Sequence, residues 1–370
     1  MAFDVAIVGA GIVGAACAAS LSSAGLSVIV IDANGVATGT TAAGMGHIVV
    51  MDDSEAQFAL TNYSRKLWND LAAELPGTSE YEFCGTIWVA ADDEEMAEVG
   101  RKKEFYETRG VKAEILDENS LRQTEPNLRD GLAGGLLVEN DSVVYQLCAT
   151  RFLMDRAMRN GAETRTGKRV VEIKEGGVTL ENGDFIAAGN VINAAGFAAT
   201  ELSPGLKIVK RKGHLVITER YPGFVSHQLI ELGYLKSAHG KDGDSVAFNV
   251  QPRSTGQVLL GSSRQFCSDD TEIDHDIVRR MTARAFEYMP RLKDLSVVRV
   301  WTGFRPATPD NLPYIGNLPD HDNVYIAAGH EGLGITTSLG TAELIADAIL
   351  GRTSAISPEP YSPSRVISEH

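Results

Sequence analysis

The sequence predicts an α/β protein with two parts: a parallel-sheet domain assembled from separate segments, and an α+β domain built on a mixed, largely antiparallel sheet. Three observations predict it. Apolar runs at Val5–Val8, Asn190–Ala195 and Val324–Gly329 have the near-continuous character of strands buried on both faces. Each of these runs ends in glycine or is followed directly by one. The stretch from about Ile208 to Val300 reads differently, as short strands with a single helix among them.

The elements follow in order. Residues 4–8 read as a buried strand, Ile12–Ala24 as an alanine-rich helix closed by Gly25, and Ser27–Ile31 as a second buried strand. Gly85–Ala90 predicts a strand, Asp92–Arg109 a charged helix and Val111–Leu116 another strand. Gln146–Arg159 sets Ala149, Phe152, Leu153 and Ala157 on one helical face. Gly176-Gly177 and Asn182-Gly183 mark turns, the second a hairpin signal. Leu215–Thr218, Ser245–Val250 and Val258–Leu260 predict strands, and Asp274–Tyr288 a helix. Leu339–Leu350 predicts a last helix with Leu339, Ala342, Ala346 and Ile349 facing inward. The resulting segmentation assigns 1–80, 145–207 and 302–370 to the first domain, and 81–144 and 208–301 to the second.

Composition narrows the function classes. The 370 residues are enough for two cores, with 44% hydrophobic and 22% charged residues, the balance of a soluble globular protein. A net charge of −15 argues against nucleic-acid binding. No apolar run is expected to reach the ~20 residues of a membrane span. The N-terminus lacks the basic region and cleavage site of a signal peptide. Cys17, Cys84, Cys148 and Cys267 are scattered, which speaks against a disulfide framework or a zinc site and for a reducing compartment. The expected location is the cytoplasm, peripheral to a membrane only through partners.

Gly9-Ala10-Gly11-Ile12-Val13-Gly14 joins the first strand to the first helix. Gly9 makes the tight turn, Gly11 lets a pyrophosphate approach the backbone, and Gly14 lets the helix pack on the sheet. The helix N–H groups then face the phosphates. Asp32 ends the second strand, where its carboxylate can accept ribose hydroxyls. The motif points to an adenine dinucleotide without separating FAD from NAD. Three further stretches favour FAD. Thr38–His47 is small, polar and glycine-rich, suited to running along a pyrophosphate or a flat ring. Asn193-Ala194-Ala195-Gly196 sits at a strand end, where ligands of parallel sheets collect. Gly329–Thr337 joins a buried strand to a glycine-rich helix start, whose positive dipole end would stabilise charge on a reduced flavin.

Together with Lys212-Gly213-His214, Gly261–Arg264 and Gly303–Asp310, these stretches resemble the D-amino-acid-oxidase-like flavoproteins over essentially the whole chain. Arg-Pro-Ala-Thr-Pro-Asp at 305–310 and Gly-His-Glu-Gly at 329–332 look most like the β subunits of D-hydroxyproline dehydrogenase and opine oxidase. The resemblance implies a discontinuous Rossmann-like FAD domain beneath a substrate domain. It implies cofactor contacts from Gly9, Gly11, Ile12, Val13, Gly14, Asp32, Ala33, Thr40, Thr41, Gly44, Met45, Gly46, His47, Val171, Ala195, Gly196, Gly303, Arg305, Gly332, Leu333, Gly334, Ile335 and Thr336. It further implies oxidation of an amino acid or N-substituted amino acid, and small electron-transfer subunits as partners.

Arg305 is the expected anchor of a substrate carboxylate, because a guanidinium offers two parallel hydrogen bonds. The competing role is a structural pair with a local acid such as Asp310. His47 and His330 fall in the expected flavin loops, where a histidine can contact the ring or take a proton from a substrate amine. Tyr234 is a further candidate for the substrate pocket. The expected chemistry is loss of the α-hydrogen as hydride to flavin N5, turning the C–N bond into an imine, with the protein supplying position and electrostatics. Sarcosine oxidases attach FAD through a cysteine. Cys267, the nearest here, lies in a different context, so non-covalent FAD is expected. The alternatives are a self-sufficient oxidase releasing peroxide and a flavin-binding assembly protein without catalysis.

Overall fold

A computed structural model describes residues 2–233, 243–266, 270–319 and 321–367. Tyr234 and Cys267 lie outside these residues.

The first sheet has the central order Tyr314–Asn317, Val324–Ala328, Phe185–Asn193, Phe3–Val8, Val28–Asp32, Glu163–Thr166. All neighbours run parallel except Tyr314–Asn317, which is antiparallel to Val324–Ala328. The apolar runs are explained by burial on both sides. In the opening strand Val5 and Ile7 enter one core, while Ala6 and Val8 enter another on the opposite face. The expected hairpin is present: Gly177–Leu180 pairs antiparallel with Phe185–Asn193, and Gly183 takes the positive φ of +89° that the turn requires.

The first helix spans Ile12–Ser23, and the last long helix, Gly334–Leu350, begins five residues before the expected Leu339; the short α-helix Ser364–Ile367 follows it. The difference has a physical reason. Its first turn is Gly-Ile-Thr-Thr-Ser, which lacks the apolar periodicity that marks helices, yet Thr336, Thr337 and Ser338 are all buried. Residues Glu331–Leu350 also correct the expectation that no apolar stretch is long enough for a membrane span. They are 20 residues, and their most apolar stretch of 18 has a mean hydropathy of 1.3. Half of that stretch is buried within the protein, packed on Ile12–Ser23 and Glu55–Leu71, as for a core helix.

The second sheet has the order Val297–Ala307, Val209–Arg220, Gln257–Arg264, Ser245–Pro252, Gln228–Glu231, Thr86–Ala90, Gly134–Val138, Glu114–Asp117. It is antiparallel throughout apart from the parallel pair Gln228–Glu231 and Thr86–Ala90. The expected helix is present as His275–Tyr288, with Asp274 as its N-cap, and it covers one face through Met281, Ala285 and Tyr288. The other face looks toward the first sheet. The strand Val297–Ala307 pairs with Val209–Arg220 along its whole length, so the expected boundary between 301 and 302 falls inside a continuous strand. Sequence pattern missed this because Thr302-Gly303 interrupts the apolar character halfway along the strand.

Candidate active site

Four parallel strands of the first sheet deliver their carboxyl ends to one continuous cavity of about 490 Å³. Val8-Gly9, Ile31-Asp32, Ala194–Ala198 and Ala327-Ala328 with His330 all line it. This is the edge at which ligands of open parallel sheets bind. Gly9 has φ +110°, and a β-carbon there would stand 2.4 Å from the carbonyl oxygen of Ala194. Only glycine fits that turn. Gly14 serves packing instead: it does not line the cavity, and a β-carbon there would lie 2.0 Å from the Gly9 oxygen.

Asp32 was expected to hold a ribose. Its carboxylate also organises the surrounding loops, accepting hydrogen bonds from Ala10 N–H at 2.8 Å, Asn34 N–H at 2.7 Å and Gly35 N–H at 3.0 Å. Thr41 Oγ1 accepts the Ile12 N–H at 3.1 Å, which ties the small polar loop to the first helix start. That loop contains a short helix, Thr40–Ala43, and a short strand, His47–Ile48. Thr40, Thr41, Gly44, Met45, Gly46, His47 and Ala33 all line the cavity, as do Gly11, Ile12, Val13, Ala195, Gly196, Gly303, Arg305, Gly332, Leu333, Gly334 and Ile335.

Besides Gly14, two further expected contacts need correction. Val171 is 46% exposed, and its neighbour Val170 lines the cavity, because alternate residues of the strand Val170–Lys174 face opposite ways. Thr336 does not line the cavity. It is buried, and its hydroxyl donates to the His47 carbonyl at 2.8 Å, fastening the last long helix to the N-terminal loop.

Arg305 lies on the Val297–Ala307 strand and reaches across Gly213. A β-carbon at Gly213 would meet its Nη1 at 2.5 Å. On its other side Gly332 is equally bare, 3.7 Å from Cδ by the same construction. The Arg305 Nη1 donates to the Ser263 carbonyl at 2.9 Å. Asp310 does not pair with it: Arg365 holds Asp310 by two hydrogen bonds, at 2.7 and 3.2 Å. The carboxylate that influences Arg305 is Glu331, a residue that sequence reasoning passed over. Its backbone takes the uncommon φ of +48°, and its carboxylate lies 3.6 Å from Arg264 Nε and 3.7 Å from Arg211 Nη1. Burial pushes that carboxyl upward, but Arg264, Arg305, the Gly332 N–H and Arg211 together hold it below the usual range.

Both histidines line the cavity, and burial disfavours the charged form of each. His47 Nδ1 donates to Gln228 Oε1, whose amide is oriented by bonds to Thr86 Oγ1 at 3.2 Å and the Ser142 carbonyl at 3.0 Å. In the neutral ring that arrangement leaves Nε2 as the unprotonated nitrogen. Burial lowers the His47 pKa, the Gln228 bond opposes this, and the charge of Arg305 lowers it further. His330 is buried, with Nε2 3.0 Å from Thr341 Oγ1, and burial alone pushes its pKa down to about 3.

The cavity ceiling is a row across the second sheet. Trp88 is registered with Ile230, Ile230 with Asn249 and Asn249 with Gly261. Gly261 packs against Met45 and Leu215. Trp88, Ile230, Asn249 and Leu215 line the cavity, and none was expected to. Their one sequence signal was an indole in an otherwise small and β-branched strand, Thr86–Ala90. Lys168, Arg169 and Glu201 also line the cavity beside Asp32, with Arg169 and Glu201 paired at 2.7 Å.

The donor set fits FAD. A glycine turn, an acid at the end of the second strand and the uncapped N-terminus of the 17-residue last long helix all open on one elongated space. Among the described residues no group of side chains suited to a metal ion is found.

Comparison with known proteins agrees. A family model described as FAD dependent oxidoreductase matches residues 4–348. Glycine oxidase of Pseudomonas aeruginosa is 26% identical, covering 98% of this chain and 99% of that one. A component of the opine oxidase of Rhizobium meliloti, one of that enzyme's subunits, is 24% identical over 94% of this chain and 93% of its own length. The crystal structure of glycine oxidase from Geobacillus kaustophilus superposes with a TM-score of 0.88 at 26% identity, covering 98% of each chain. With a matched region that takes in both sheets and the glycine turn, the chain belongs to the FAD-dependent oxidoreductase family.

Proposed function

We propose that this chain oxidises the C–N bond of an amino acid or N-substituted amino acid, acting as a dehydrogenase within a heteromeric complex. The setting of Arg305 carries the reading. Its guanidinium enters the cavity between two glycines and is steadied by one carbonyl, while the neighbouring acid Asp310 is occupied elsewhere. That leaves a fork of donors for a substrate carboxylate. FAD, when bound, supplies the acceptor for the hydride leaving the α-carbon.

The chain's own groups do the rest. Arg305 orients the carboxylate. His47 offers a neutral imidazole whose Nδ1–H is committed to Gln228, so its Nε2 can accept a proton from a substrate ammonium. The ceiling is apolar at Trp88, Ile230 and Leu215, which limits the entry of water, and carries an amide at Asn249. From the Ser263 carbonyl that holds Arg305 to the strand of Trp88 is three strand spacings, roughly 14 Å. That length supports a substrate bearing a side chain or an N-substituent over glycine itself. Among the described residues no cysteine lines the cavity, which supports non-covalent FAD. Yellow colour left in an acid-precipitated pellet would contradict this.

The similarity to a component of a multi-chain opine oxidase supports electron delivery to partner chains. The second reading is direct transfer to O₂, supported by the similarity to glycine oxidases. The test is an anaerobic screen for flavin bleaching with D-, L- and N-alkyl amino acids, then a comparison of dye reduction with peroxide release. Bleaching by none of the panel sinks the amino-acid reading. Peroxide at a rate matching dye reduction favours the oxidase.

A further inference from the structure

A buried cation stands behind the far wall of the cavity. Lys102 projects from the helix Asp93–Glu107 and is 2% exposed. Its Nζ lies 4.1 Å from the centroid of the Trp88 ring and 5.1 Å from that of Tyr106, and it pairs with Asp52. Asp52 belongs to residues 49–53, a segment with neither helix nor strand. Val49, Met51 and Asp53 of this segment line the cavity, as does Trp88.

Nothing in the segment's own backbone pattern holds it in place. It is held from behind by side chains. The Tyr106 hydroxyl donates to the Val50 carbonyl at 3.3 Å and reaches Asp52 Oδ1 at 3.4 Å. Met51 N–H donates to Thr61 Oγ1 at 3.1 Å, and Val50 N–H to Asp141 Oδ1 at 3.4 Å. Within this set Lys102 is the group that touches both halves of the wall, the segment through Asp52 and the indole through its ring. A buried ammonium persists only when compensated, and here a carboxylate and two aromatic faces do so. The pair therefore has one stable arrangement, and the wall inherits it.

We propose that Lys102 is a positioning residue for substrate selectivity: by joining Asp52 to Trp88 it fixes the wall that meets the end of the substrate farthest from Arg305. This rests on the amino-acid reading above.

The test uses the flavin-loaded protein and two variants, Lys102→Met, which keeps length without charge, and Asp52→Asn, which removes the partner from the other side. Binding of acetate and of benzoate is read from the perturbation of the flavin spectrum, apart from any turnover. The expected result is wild-type flavin content, acetate affinity within about twofold, and benzoate affinity about tenfold weaker. In turnover, KM should rise for bulky substrates and hold for the smallest. A merely structural role lowers flavin content and both affinities together, and that result, or no change at all, overturns the proposal. Where Lys102→Met does not fold, Asp52→Asn gives the same comparison. If carboxylates bind but no amino acid bleaches the wild-type flavin, the oxidation reading falls, while the ligand series still decides the role of Lys102.

Discussion

The Arg305 guanidinium lies across Gly213 so closely that a β-carbon at position 213 would stand 2.5 Å from Nη1 and 2.9 Å from Cζ. The two residues sit on adjacent strands, and the absence of a side chain at one is what lets the other reach into the cavity. Orientation of the substrate therefore depends on a residue that never touches it.

Gly213→Ala should leave the fold intact, because the atoms in the way are the far end of a flexible side chain. The guanidinium should swing aside, raising KM for a carboxylate substrate about tenfold with little change in thermal midpoint. Steady-state kinetics and a melting curve on the same preparation check this. An unchanged KM removes Gly213 from the positioning of Arg305.

Arg305→Ala removes the donors themselves. A hydrogen bond to a charged group contributes about 1.5–3 kcal/mol, so kcat/KM should fall roughly 10- to 150-fold for each bond lost. Flavin content should stay near that of the wild type. Unaltered kinetics would falsify the assignment of the carboxylate to this residue.

Gly14→Ala should act on the scaffold. A methyl group there overlaps the Gly9 oxygen, which is backbone and cannot move without disturbing the turn. Overpacking of this kind costs about 1–3 kcal/mol, and flavin affinity should drop along with stability. Thermal melts with and without added FAD measure both effects. A stable, fully flavinated variant contradicts the close helix–strand contact.

His330 predicts a pH dependence. Folded, its pKa is about 3; unfolded, it returns to about 6.5. Below pH 6.5 the unfolded chain binds a proton that the folded chain refuses, so stability is present above that pH and lost as pH falls toward 3. The loss is at most about 1.4 kcal/mol per pH unit. His330→Gln should have a shallower decline between pH 6.5 and 4.5, read from denaturant midpoints. Parallel profiles for the two proteins would show that His330 does not titrate this way.

What was legible in the sequence was what is local in the chain. The turn Gly9–Gly14, the acid Asp32 and the Asn182-Gly183 hairpin each encode their geometry within a few residues, and the structure has them in place. Arg305 was legible as a cavity residue because its neighbours form one motif. Its surroundings were not. Gly213, Ser263 and Glu331 come from three distant elements, the first two brought together by strand register and the third by the turn Glu331–Leu333. Asp310, the competing partner by proximity in sequence, is taken by Arg365. The ceiling row was invisible for the same reason: Trp88, Ile230 and Asn249 are separated by 142 and 19 positions, and each alone reads as an ordinary strand residue. Val171 shows the opposite failure, where the segment was right and the parity of the strand was wrong.

The ceiling row has one more consequence. It belongs to the second sheet, whereas the glycine turns and Asp32 belong to the first. Exchanging Ile230 or Asn249 for a larger or smaller residue rewrites the shape offered to a guest molecule without altering a single bend in the chain that grips the nucleotide. Diversification and retention are thereby assigned to separate pieces of the protein, so new guests can be accommodated by changes to one sheet while the other keeps its inherited grip.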